Sequence, residues 1–86
     1  LVVDAPAGLI AGGLLDLWQQ PITDIGQTGP DKGAGGKYLF LPPGSTMINA
    51  PGYRVFIAPT VQVWFGTRAL DPDPKVAEAT IRKFKI

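Results

Sequence analysis

The sequence predicts a mainly β unit closed by a single C-terminal helix. Three observations carry this. Nine prolines and eleven glycines are spread along the 86 residues as punctuation, which cuts the chain into short extended runs joined by turns. Three of those runs, residues 37–43, 53–59 and 60–70, are apolar and bounded by breakers. The last segment, "DPDPKVAEATIRKF", joins an N-terminal cap signal to an apolar repeat of helical period.

Taken in order, "LVVD" at 1–4 forms a strand that Pro6 and Gly8 end. The stretch "LIAGGLLDLWQQ" at 9–20 reads two ways. Leu14, Leu15, Leu17 and Trp18 fit one helical stripe, which favours a short helix over 14–20. Two preceding glycines and a following Pro21 keep a strand open. Residues 21–36 read as a long loop by composition, with glycine at 26, 29, 33, 35 and 36.

"KYLFLPP" at 37–43 is a strand with apolar residues on both faces, the pattern of a buried central position. Two prolines end it, and "GSTMINAPG" is a loop. "YRVFIAP" at 53–59 is the next strand. Tyr53, Val55 and Ile57 point one way, and Arg54, Phe56 and Ala58 the other. "TVQVWFGTRAL" follows at 60–70. Pro59 allows only a tight corner, so these two strands are expected to be sequential neighbours and antiparallel. In the helix, Asp73 is the N-cap and Pro74 the first helical residue. Val76, Ala77, Thr80, Ile81 and Phe84 form its apolar stripe, and Glu78 with Arg82 an i,i+4 pair.

Composition narrows the chemistry. The net charge is +1, from eight basic and seven acidic residues, too weak a field for a nucleic-acid partner. No apolar run reaches the length of a membrane span. With no cysteine and no histidine, disulfides, the usual zinc ligands and most catalytic triads are excluded. A chain this short buries only about 60–65% of its unfolded surface, and here no covalent staple assists it. The apolar ends, "LVV" and "FKI", read as cuts through a larger protein. The expectation is therefore one incomplete domain over residues 1–86 that leans on surface from elsewhere. The compartment stays open.

The stretch "GPDKGAGGKY" at 29–38 invites a phosphate-loop reading, which fails on three counts. Counting back from Gly36-Lys37, the first required glycine is Asp31. The hydroxyl residue after the lysine is replaced by Tyr38. A strand, not a helix, follows. The simpler reading is a turn, with Pro30 at its first corner and Asp31 capping it. A long glycine loop can also serve a site. Asp31, Lys32 and Lys37, with Arg54 and Arg68 from the strands, are the candidate ligand-binding residues. The carboxylates Asp16, Asp24 and Asp31 are open to pairing around a ligand or an oxygen-loving cation, although Asp24 reads better as an Asx turn. Neither a resident metal nor a cofactor is expected. Trp18 and Trp64 read as core or domain-contact residues.

The ordered set Asp24-Ile25-Gly26, Gly29-Pro30-Asp31, Gly35-Gly36-Lys37-Tyr38-Leu39 and Leu41-Pro42-Pro43-Gly44 resembles a bacterial family, the domain of unknown function 1254. The likeness continues through "GYRVFIAPT", "VWFGTRAL" and "DPDPKVAEATI", and so covers nearly the whole chain. It implies an immunoglobulin-like β-sandwich, here partial, with the C-terminal helix packed on it. It also implies a second, jelly-roll domain elsewhere in the same polypeptide, the domain of unknown function 1214. At the corner the family commonly has Ser-Pro-Thr-Asn, whereas this chain has Ala58-Pro59-Thr60-Val61, which removes two polar groups a site could use. The resemblance brings no assigned reaction. Two functional readings follow. One is a non-catalytic module that packs on the jelly-roll domain, within a homo-oligomer. The other is part of an enzyme or small-molecule-binding protein whose site lies between the two domains.

Overall fold

The computed structural model describes all residues, 1–86. The elements are β1 (Val2–Ala5), β2 (Ile10–Leu15), β3 (Pro21–Gly26), β4 (Gly36–Leu41), β5 (Tyr53–Ile57), β6 (Trp64–Ala69) and α1 (Pro74–Arg82). They form two three-stranded sheets, β1-β4-β5 and β3-β2-β6. The protein is mainly β, a partial sandwich with one short C-terminal helix.

The alternation of side chains along each strand builds the core. Val3, Ala5, Tyr38 and Phe40 come from the first sheet, and Leu14 and Ile25 from the second. Phe56, Phe65 and Phe84 pack around them. Tyr38, Phe40 and Phe56 stack in near-parallel planes, with centroids 5.7 to 6.3 Å apart, within the range for favourable aromatic pairs.

Four expectations need correction. First, residues 14–20 are not a helix. Gly12 and Gly13 sit inside β2, which pairs with β6 on one side and β3 on the other. The glycines are demanded by packing. A Cβ on Gly12 would stand 2.7 Å from Thr67 Cα, and one on Gly13 2.7 Å from the Thr23 carbonyl oxygen. After Leu15 the chain turns. Asp16 Oδ1 accepts from the Trp18 and Gln20 N–H groups at 2.9 Å each, and Gln19 adopts φ 63°. Second, 21–26 is a strand and not the start of a loop. Pro21 opens it, at a position where a strand tolerates proline.

Third, β5 and β6 are not paired. Proline at 59 sends the chain from one sheet to the other, so β5 runs parallel to β4 and β6 antiparallel to β2. Fourth, the helix starts as expected, with Asp73 Oδ1 accepting from Lys75 N–H at 3.0 Å, but its apolar stripe is not buried. No residue of α1 is buried. Phe84, the last member of that stripe and two residues past the helix end, is what reaches the core, with its ring 5.8 Å from that of Phe65. Lys85 then bridges to Asp4 on β1. The Glu78–Arg82 pair forms at 2.7 Å.

Gly12→Ala is expected to cost about 2–3 kcal/mol of stability in chemical denaturation, because its methyl would push backbone rather than a flexible side chain. Gly66→Ala, on the facing strand, has open space for its methyl and should change stability by less than about 1 kcal/mol.

Candidate functional site

The glycine-rich segment between β3 and β4 is where the chain passes from the second sheet to the first. Its first turn is closed by Lys32 N–H donating to the Gly29 carbonyl at 3.0 Å, with Pro30 at the first corner position, as its sequence dictates. Lys32 itself takes φ 51°. Gly33 N–H returns to the Gly26 carbonyl, and Gly8 N–H donates to Gly33, both at 3.0 Å. At Gly35, φ is 83° and a Cβ would meet Ala7 N at 2.7 Å. Only glycine fits there, because the loop lies against the end of β1.

Asp31 is 4% exposed. Its Oδ1 accepts from Gly26 N–H at 3.0 Å and from the Tyr38 hydroxyl at 2.5 Å, and its Oδ2 accepts from Gly35 N–H at 3.0 Å. Burial pushes the carboxyl upward. The Tyr38 hydroxyl and the two backbone donors outweigh burial and hold it below its ordinary value. Tyr38, fully buried, is displaced the other way. Burial and the neighbouring carboxylate raise its hydroxyl well above the usual tyrosine value. Asp31 is thus engaged within the protein and turned away from solvent.

The other candidates fall in three places. Lys37 and Arg54 flank the start of the β4–β5 pair. Lys37 Nζ lies 5.8 Å from the centre of the Tyr53 ring. Gly36, Lys37, Gly52, Tyr53 and Arg54 line a cleft of about 280 Å³. Arg54 faces Tyr38 in the register and Lys37 faces Tyr53, so the two cations leave opposite faces of the sheet and meet only around its end. Lys32 stands exposed at the loop tip. Arg68 lies opposite Ala11 in the other sheet.

The carboxylates do not pair. Asp16 closes the β2–β3 turn, as described above. Asp24 is exposed and accepts from the Thr28 hydroxyl at 3.1 Å, in place of the backbone N–H an Asx turn would use. No group of three or more acidic, histidine or cysteine residues converges as a metal site. Sequence reasoning missed Tyr38 as the partner of Asp31. The available signal was a tyrosine on an otherwise apolar strand, whose hydroxyl needs a buried partner.

Asp31→Ala is expected to cost about 3 kcal/mol, since it strands three buried donors, and Tyr38→Phe about 2 kcal/mol. The pH dependence follows from the two displacements. The Asp31 contribution is complete above about pH 4 and is lost as pH falls through its depressed folded value. The Tyr38 contribution is complete below about pH 10 and fades as pH rises beyond it. Urea midpoints measured across pH should therefore fall at both extremes, and Asp31→Asn should flatten the acid limb.

The chain matches, over residues 1–86, the family described as "Protein of unknown function (DUF1254)". No curated protein matches it. The match spans the Asp31 loop, both sheets and the helix, and on it the chain belongs to the DUF1254 family.

Proposed function

We propose that this chain is a non-catalytic β-sandwich module that docks through the outer face of its first sheet onto a second, jelly-roll domain of the same polypeptide. The observation behind this reading is the make-up of that face. The register puts Val2, Leu39 and Val55 in one row and Leu41 beside Ile57 in another. All lie on the side opposite Tyr38, Phe40 and Phe56. The second sheet covers the inner side only, and α1 packs on β6. The return segment 42–52 has no regular structure, and its Met47 and Ile48 are themselves exposed, so it is no packed cover.

One quantity supports the reading. The accessible surface is 5509 Å², against roughly 4,900 Å² for a compact monomer of this mass. Trp18 and Trp64 add to the exposed apolar area.

A second reading, binding of a small anion between the two domains, is favoured by the Lys37–Tyr53–Arg54 cleft. Neither cation there has an acidic partner, since the Glu78–Arg82 pair is the single salt bridge. On this reading Asp31 acts by shaping the loop, Lys32 by approach from its tip, and Arg68 from the other sheet takes no part. Inorganic phosphate or citrate should then raise the melting temperature, and Lys37→Ala should remove the rise.

The docking reading is tested by calorimetry on the full polypeptide that carries this chain. A docked pair of domains unfolds in one transition. Leu39→Glu should split it into two, while Val76→Glu, on the exposed helix, should not. A single unchanged transition in Leu39→Glu contradicts the reading.

A further inference from the structure

Each sheet has two edges, and three of the four are guarded. The free edge of β1 is bridged by Lys85, which exchanges two backbone hydrogen bonds with Asp4, at 2.8 and 3.1 Å. β6 has α1 packed against it. The β3 edge is covered by its own loop, where Gly29 is packed so tightly on Asp24 and Ile25 that a side chain could not fit.

The edge of β5 has no such guard. Ala58 N–H donates to the Leu41 carbonyl at 2.9 Å. By the alternation of a parallel ladder, Arg54, Phe56 and Ala58 turn their backbone groups toward β4. Val55 and Ile57 then turn theirs outward. Neither makes a hydrogen bond with any other part of the chain. The nearest irregular segment contributes only the turn bond from Tyr53 N–H to the Ala50 carbonyl. β5 contains no proline, lysine or glycine, and its register with β4 runs unbroken from Tyr53 to Ile57. Natural edges are normally blunted by just such features.

We propose that the β5 edge is the interface between two copies of this chain, paired antiparallel about Val55 to give one continuous six-stranded sheet. The strand is complementary to itself in that register. Val55 faces its own copy in a hydrogen-bonded pair that uses its N–H and C=O, and Ile57 faces Tyr53, whose carbonyl accepts from the Ile57 N–H while the Tyr53 N–H stays on the Ala50 carbonyl. On the outer face Tyr53 meets Ile57, an aromatic with a β-branched residue. On the inner face Arg54 meets Phe56, which places a guanidinium over an aromatic ring and keeps the two arginines apart. A lone strand from another protein would have no reason to match this pattern of one charge and two aromatics. The proposal is independent of the docking face, because it uses backbone groups at the edge and not Leu39.

The test is amide hydrogen exchange on the full polypeptide across a dilution series, with sedimentation in parallel. Val55 and Ile57 amides should be protected at least tenfold over loop amides at high concentration and lose that protection on dilution. Val55→Pro removes an N–H that β4 does not use. It should abolish the protection of Ile57 while leaving the β4–β5 ladder amides of Phe56 and Ala58 protected. Free exchange of Val55 and Ile57 at every concentration overturns the proposal. So does protection independent of concentration, which would mean that a strand of the same polypeptide occupies the edge. Should Val55→Pro lose the Phe56 and Ala58 protection as well, Val55→N-methylvaline, made by semisynthesis, removes the same donor with the side chain kept. Persistent concentration-dependent protection of Ile57 in that variant also overturns it.

Discussion

The structure depends on one buried carboxylate. Asp31 draws together donors from both sheets, Gly26 N–H at the end of β3 and Gly35 N–H with the Tyr38 hydroxyl at the start of β4. A buried charge without partners is among the costliest features a small protein can carry. With three hydrogen bonds, the one from Tyr38 short, it becomes a staple, in a chain that has neither disulfide nor metal ligand set to do that work. The glycine content of the loop follows from this. The chain must reverse twice within a few residues and pass close to β1, and a side chain at Gly35 would block it.

From that staple the architecture spreads outward. Fixing the Tyr38 ring fixes the stack of Phe40 and Phe56, which is most of the inner face of the first sheet. The second sheet closes over it with Leu14 and Ile25. Only twelve residues are buried in all, so this core is small and the staple carries a correspondingly large share of the stability. What the staple leaves unfinished is the far side of the same sheet, apolar and unlayered, and the bare edge of β5. Inside, the Thr67 hydroxyl is the one buried side-chain polar atom without a hydrogen-bond partner; the outer face and that edge stay open.

The sequence spoke clearly where local chemistry decides the structure. β4 and β5 announce themselves as apolar runs between breakers, and α1 by Asp73-Pro74. The apolar pattern on both faces of 37–43 also pointed to a strand meant to be covered twice. It was silent where tertiary contact overrides composition. Gly12-Gly13 looked like a break, but close approach of the flanking strands β3 and β6 requires both. Pro21 looked like a stop and is a start. Pro59 marked a corner correctly without saying that the corner changes sheets. Of the candidate site residues, the charges of Lys37 and Arg54 were visible and their convergence at the strand end was not. Asp31 was legible as a turn residue, but its burial depends on Tyr38, seven positions along and in the next strand.

The central claim is that Asp31 and Tyr38 act as one unit joining the two sheets. A double-mutant cycle on stability, with Asp31→Asn, Tyr38→Phe and the pair, tests it most directly. The account predicts a coupling energy of about 1–3 kcal/mol, the range for contacting groups in one network. Additivity of the two single changes to within about 0.3–0.5 kcal/mol would contradict it.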